Sequence, residues 1–447
     1  MKKLLIVLIL FVSAPQATMI TVTGADGTIA DDGFCSISEA INSANNDTSS
    51  GSTPGECPAG SGADIIELTS NISLTFENHN DATFGRTGTP AINSEIEIKG
   101  MSHEIARQSG LTCNNDNVSD VGEFRLFLII ANGFLKLNNV TLTNGCVDNT
   151  DFSNSYYGGA VYNKGSLSIT NSIIISNKAN SGGGVYNANQ GVISSVINSS
   201  FESNSTVDSG GGIFNEGNIY SISNCNFSEN SSYYGGGLEN FQNIGSIKNS
   251  TFTENSAVYG GGIDNADSIN EIINSTFSAN LANTGGGLSN TGTNINFIIN
   301  STFYGNEATT NGGGIHNQSS NLNNLNHSLF ANNLATANAD CYLQSGIVIG
   351  NNNISNQDNG TCSSAIDQTD MTLSTIDILS DNGCFETLPG GSCVQTHALL
   401  TGSEAIDAGN STSTNHDQRN FSANGVRDIG AYEYQGINDL IYKNGFN

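Results

Sequence analysis

Gly235-Gly-Gly-Leu-Glu-Asn240, Asn249-Ser-Thr-Phe-Thr-Glu-Asn255, Gly260-Gly-Gly-Ile-Asp-Asn265 and Asn274-Ser-Thr-Phe-Ser-Ala-Asn280 follow one another in the middle of the chain. Two unlike strings alternate here, and each returns after 25 residues. Working outward, the glycine string occurs seven times, ending at Asn163, Asn187, Asn215, Asn240, Asn265, Asn290 and Asn317. The Phe string keeps the same phase and ends at Asn177, Asn204, Asn230, Asn255, Asn280, Asn306 and, in its last copy, Asn332. Two independent strings with a common period mark an internal repeat.

The period selects the architecture. Ser166-Leu-Ser-Ile-Thr170 and Ile272-Ile-Asn-Ser-Thr-Phe277 alternate as strands do, and helix-length periodicity is absent from the repeats. About 25 residues hold three short strands and three turns, which is one coil of a solenoid. A single coil cannot bury its apolar side, but stacked coils close a continuous core through parallel ladders. The reading is all-β: a right-handed parallel β-helix. Phe201, Phe227, Phe252, Phe277 and Phe303 share one repeat position and are expected inside, as are Val185, Ile213, Leu238, Ile263, Leu288 and Ile315. The recurrent asparagines suit turns, because Asn tolerates left-handed backbone and can bond to the next coil. Gly triplets permit tight turns and close backbone approach.

The ends read differently. Lys2 and Lys3 precede an apolar run from Leu4 to Val12 and then small residues, the order of a secretory signal peptide. Residues 1–17 are assigned to it, 18–100 to an N-terminal cap and first coils, 101–335 to the repeats, 336–434 to C-terminal coils and cap, and 435–447 to a short tail. No later segment is apolar enough for a transmembrane helix, so a secreted or cell-surface protein is expected, with peripheral attachment possible. The net charge is −28, and between Lys178 and Arg419 the sole basic residue is Lys248. Nucleic acid is therefore a poor partner.

These features resemble bacterial β-helix surface proteins. The paired Gly-Gly-x-Ile/Val and Phe-x-x-Asn strings are similar to the repeats of chlamydial polymorphic outer-membrane proteins. Cys35-Ser-Ile-Ser-Glu-Ala-Ile41 resembles the Cys-Ser-Leu-Arg-Glu-Ala N-terminal domain, with Ser38 in place of Arg. Gly402-Ser-Glu-Ala-Ile-Asp-Ala-Gly409, Asp417-Gln-Arg419 and Asp428-Ile-Gly-Ala-Tyr-Glu433 resemble the terminal region of the choice-of-anchor group. The resemblance implies a fold and a surface location; it implies no particular activity.

Nine cysteines in an exported chain suggest disulfides with one thiol left over. Proximity suggests Cys35 with Cys57, Cys113 with Cys146, Cys341 with Cys362 and Cys384 with Cys393. Cys225 stands where other repeats have serine and is expected as the free, buried thiol. The Cys35–Glu39 block reads as an end cap, and Asp407, Asp417, Arg419, Arg427, Asp428 and Glu433 as a charge-paired cap at the other end, since an open ladder must be shielded.

One position invites a ligand. The residue before the asparagine of each glycine string should point outward, and down the stack it reads Tyr162, Tyr186, Phe214, Glu239, Asp264, Ser289 and His316. This predicts an aromatic strip running into an acidic one, suited to sugar rings or a protein partner. Glu229 and Glu254 form a second acidic pair in the Phe strings. With Glu239 and Asp264 they are candidate ligands for a weakly bound calcium, helped by the oxygens of Asn240, Asn255 and Asn265; no other cofactor is expected. The function expected is an adhesin-like or envelope interaction module without catalysis. The alternative is a polysaccharide-active enzyme, a glycosidase rather than a lyase, because two carboxylates can suffice for the former, whereas a lyase wants basic groups that the repeats lack.

Overall fold

A computed structural model describes residues 17–111, 113, 122–147, 156–318, 321–357, 361–362, 365–368, 372–384, 386–410, 414–423 and 425–434. Residues 1–16 of the expected signal peptide and the whole of the expected tail lie outside the described residues.

The chain is a parallel β-helix. Its first sheet has 12 strands, from Met19–Val22 to Val348–Asn351, and its second also has 12, from Ile72–Leu74 to Ile366–Gln368. A third sheet of 9 three-residue strands runs from Phe127–Ile129 to Cys341–Leu343. Register is maintained between equivalent residues: Phe227 pairs with Phe252, and Leu238 with Ile263. Inside, Phe201, Phe227, Phe252, Phe277, Phe303 and Phe330 stack with centroids 4.6–5.1 Å apart and rings within 6° of parallel.

The asparagines do more than turn. Asn163, Asn187, Asn215, Asn240, Asn265, Asn290 and Asn317 are wholly buried, each Nδ2 donating to the next Oδ1 at 2.6–2.8 Å. A second ladder links Asn177, Asn204, Asn230, Asn255, Asn280 and Asn306. Its last member is Asn333 and not Asn332, because three residues separate the ladder amide from the core Phe330. Left-handed backbone falls instead on the residue before each ladder member, among them Ser203, Glu229, Glu254, Gly305 and Asn332, and on the first asparagine of the Phe string, as at Asn249 and Asn274. Gly235 has φ 58°, and a Cβ on Gly237 would meet the Gly262 carbonyl at 2.7 Å, so the triplet serves both a turn and a close approach.

Helix Ile37–Asn46 closes the first coil with Ile37, Ala40, Ile41 and Ala44 buried. Ser36 and Glu39 form its capping box, which accounts for the Ser-x-x-Glu spacing. Disulfides join Cys35–Cys57, Cys113–Cys146, Cys341–Cys362 and Cys384–Cys393, and Cys225 is free and buried.

The C-terminal charge block is not an end cap. The described residues between 376 and 434 run back along the outer face of the second sheet: Thr251 Oγ1 donates to the Gln395 carbonyl, Asn274 Nδ2 to that of His416, and Asn300 Nδ2 to that of Asp428. The reason is apolar. Leu329 and Ile354 point away from the main core and bury against Ile376, Leu399, Ile429 and Tyr432 in a second core. Buried ion pairs Arg419–Asp417 (2.6 Å) and Arg427–Glu433 (2.5 Å) tie this strap together.

Candidate functional site

The ladder expected to face solvent is buried. Tyr162 is 2% exposed, Tyr186 3%, Phe214 6%, Glu239 1% and Asp264 3%. Its side chains do leave the main core, Tyr162, Tyr186 and Phe214 forming a separate cluster. What alternation along a strand cannot show is what lies outside. The third sheet is three residues wide, and the chain just before each glycine triplet folds against its outer corner.

That segment forms a ladder of its own, with Tyr157 bridged to Ser181, Ser209 to Tyr234, Tyr234 to Tyr259 and Tyr259 to Thr284. From the Ser181 coil to the Tyr259 coil the two ladders compensate in size, although Tyr157 and Tyr162 before them are both large. Ser181 and Ser209 precede the large Tyr186 and Phe214 by five residues, whereas Tyr234 and Tyr259 precede the smaller Glu239 and Asp264. Tyr157 packs edge-on to Tyr186 at 4.9 Å. Farther toward the N-terminus the hairpin His79–Asp81 and Gly85–Thr87 brings Phe84 to 5.2 Å from Tyr162. Buried Arg125 anchors this hairpin by donating to the Phe84 carbonyl. Tyr162, Tyr186 and Phe214 are internal packing here, so the expected strip is not available to a ligand.

Glu239 and Asp264 pair directly in register. Burial, followed by the charge of Asp264, holds Glu239 well above the usual carboxylate range, and burial pushes Asp264 up to about 6. Glu239 Oε2 and Asp264 Oδ1 have no hydrogen-bond partner. Asn240, Asn255 and Asn265, expected to add oxygens for calcium, commit their amides to the two internal ladders. The four proposed carboxylates also do not converge, since Glu229 and Glu254 lie at a different corner.

There they line an open groove. Glu202, Asn226, Ser228, Glu229, Thr253 and Glu254 form one wall, and Asp381, Leu388, Ser392, Cys393 and Gln395 of the strap form the other, around a cavity of about 340 Å³. Four carboxylates and no basic side chain line it among the described residues. Glu229 Oε2 accepts from Ser203 Oγ at 3.1 Å, and Asp381 accepts from the backbone N–H groups of Gly383 and Cys393 at 2.9 and 3.0 Å. Thr253 is 6% exposed, and its Oγ1 has no partner. Glu229 and Glu254 each have φ 56°, at the position where another coil places Gly305. Glutamate is a costly choice for that backbone; what it adds is a carboxylate at the groove.

Sequence reading found Glu229 and Glu254 but missed Glu202 and Asp381. Glu202 is one place earlier in its own Phe string and so breaks the same-position rule. Asp381 is 127 residues beyond Glu254 in the chain and reaches the groove only because the strap turns back. No family model, curated protein or solved structure matches this chain.

Proposed function

We propose that the protein is an exported, adhesin-like interaction module of the cell surface or envelope, working without catalysis and receiving a positively charged part of its partner in the acidic groove. The observation that carries this reading is one open groove lined by four carboxylates and, among the described residues, by no basic side chain. Such a site attracts ammonium and guanidinium groups and repels anionic polymers. Four disulfides suit an oxidising, extracellular setting. No helix among the described residues is long and apolar enough to cross a membrane. The signal-peptide pattern and the choice-of-anchor resemblance support export to the surface.

The glycosidase reading draws on the same carboxylates. It needs one acid kept protonated by burial beside an ionised partner, and both Glu229 and Glu254 are exposed. The test is binding of the mature protein to cationic peptides and to glycans, with products followed by chromatography. Salt-sensitive binding of a cationic peptide, weakened about tenfold by Glu229→Gln/Glu254→Gln, is expected. Cleavage of a glycan that this variant abolishes would overturn the non-catalytic reading.

A further inference from the structure

Three tyrosines on adjacent coils, none of them lining the groove, form a second cluster. Tyr234 and Tyr259 are bridged in register, and their rings stack at 5.3 Å and 13°. Tyr233 stands as a wall against them, 4.7 Å from Tyr234 at 63° and 6.0 Å from Tyr259 at 53°. It is 43% exposed. The backbone beneath is fixed: the N–H groups of Tyr233 and Tyr234 donate to the Asp208 carbonyl, and those of Val258 and Tyr259 to the Tyr233 carbonyl. Tyr234 and Tyr259 have a packing role at the corner described above. Tyr233 has none there, and its neighbour in the next coil is Val258.

We infer that Tyr233, Tyr234 and Tyr259 form a binding site for a neutral saccharide. The argument is chemical. A pyranose presents an apolar C–H face and a rim of hydroxyls; the exposed Tyr233 ring offers an apolar surface beside the half-buried Tyr234–Tyr259 stack. The hydroxyl rim would meet polar groups: the phenolic hydroxyls, and Asp208, whose charge acts on Tyr234. Charge then selects within the class. Asp208 is negative, the chain carries −28, and Lys248 is the one basic residue between Lys178 and Arg419, so uronate-rich or sulfated polymers are repelled. Flat aromatic groups carrying phosphate are repelled for the same reason.

The probes are neutral hexasaccharides (glucan, xylan, mannan and galactan) with hexagalacturonate as the anionic comparison. The chain contains no Trp, so tyrosine fluorescence reports on such surfaces without a stronger background, and saturation-transfer NMR reads the sugar. The expected result is saturable binding of at least one neutral hexasaccharide, weakened about tenfold by Tyr233→Ala and largely kept by Tyr233→Phe. Glu229→Gln/Glu254→Gln should leave it unchanged, which separates this site from the groove. Circular dichroism confirms that the variants fold, and Tyr233 is exposed enough for removal to be tolerated. No binding of any neutral hexasaccharide at millimolar concentration, equal binding of hexagalacturonate, or binding indifferent to Tyr233→Ala would each overturn the inference.

Discussion

Glu239 and Asp264 share a register position, are almost wholly buried, and have only other acids acting on Glu239, namely Asp264 and Asp208. Folding therefore favours their protonated forms. A carboxyl group whose folded pKa is raised holds a proton that the unfolded chain releases, so its stabilisation is full below about pH 4 and is lost as pH rises through 6 and above. Asp340 and Asp428, pushed by burial to about 6 and about 7, act in the same sense, whereas His316 and His397, lowered by burial to about 4, act in the opposite one. The pair is isolated by difference. Glu239→Gln/Asp264→Asn is expected to stabilise the protein by about 1–3 kcal/mol at pH 8, with the gap from the parent closing toward pH 4 in thermal unfolding. An unchanged gap across that range would show that the two carboxyls do not share this environment. A second residue, Cys225, is enclosed by the core, and burial pushes its thiol up to about 12. It should resist maleimide in the native protein and react at once in denaturant; rapid native labelling would contradict the buried placement.

Strands of three to six residues are too short to hold together alone, and the ladders between coils supply what each strand lacks. Asn255 shows how. Its Oδ1 accepts from both the backbone N–H and the amide of Asn230, while its Nδ2 donates to Asn280 and to the Phe227 carbonyl. Asn255→Ala leaves several buried groups without partners and is expected to cost about 2–4 kcal/mol. Phe252, between Phe227 and Phe277 in the stack, is expected to cost about 3–5 kcal/mol as Ala. Denaturant titration measures both. If the Asn255 loss were within a few tenths of a kcal/mol, the ladder would be incidental to stability.

At the scale of the molecule, two structures are joined: a rod whose coils contact mainly their neighbours, and a strap held on its flank. The strap depends on buried charge. Arg427 pairs with Glu433, and Arg419 lies between Phe421 and Tyr432 while bonding Asp417. Removing one partner leaves the other charge buried, at about 3–5 kcal/mol. Arg427→Ala should therefore loosen residues 376–434 while the rod persists. Limited proteolysis should cut first within the strap, with the strand-dominated circular dichroism of a chain whose described residues are 45% strand and 4% helix largely retained. Cleavage beginning in the coils would show that strap and rod unfold as one unit. Releasing the strap also removes Asp381 from the acidic groove, so the same variant should weaken cationic-peptide binding.

The sequence by itself determined the repeat, the parallel helix, the inward Phe and aliphatic positions, and the cysteine left unpaired. These are local periodicities, and a fixed period forces equivalent residues into contact in adjacent coils. It also located Glu229 and Glu254, because they share a position. Tertiary structure alone decided exposure. Alternation places Tyr162, Tyr186, Phe214, Glu239 and Asp264 away from the core, but only the folded corner shows that a second ladder covers them. It alone also decided which distant residues meet. Asp381 joins Glu254, and Leu329 meets Ile429, because an apolar outer face has to be covered and the C-terminal segment is the part of the chain that turns back to cover it. No repeat period encodes such a contact, since it is made once.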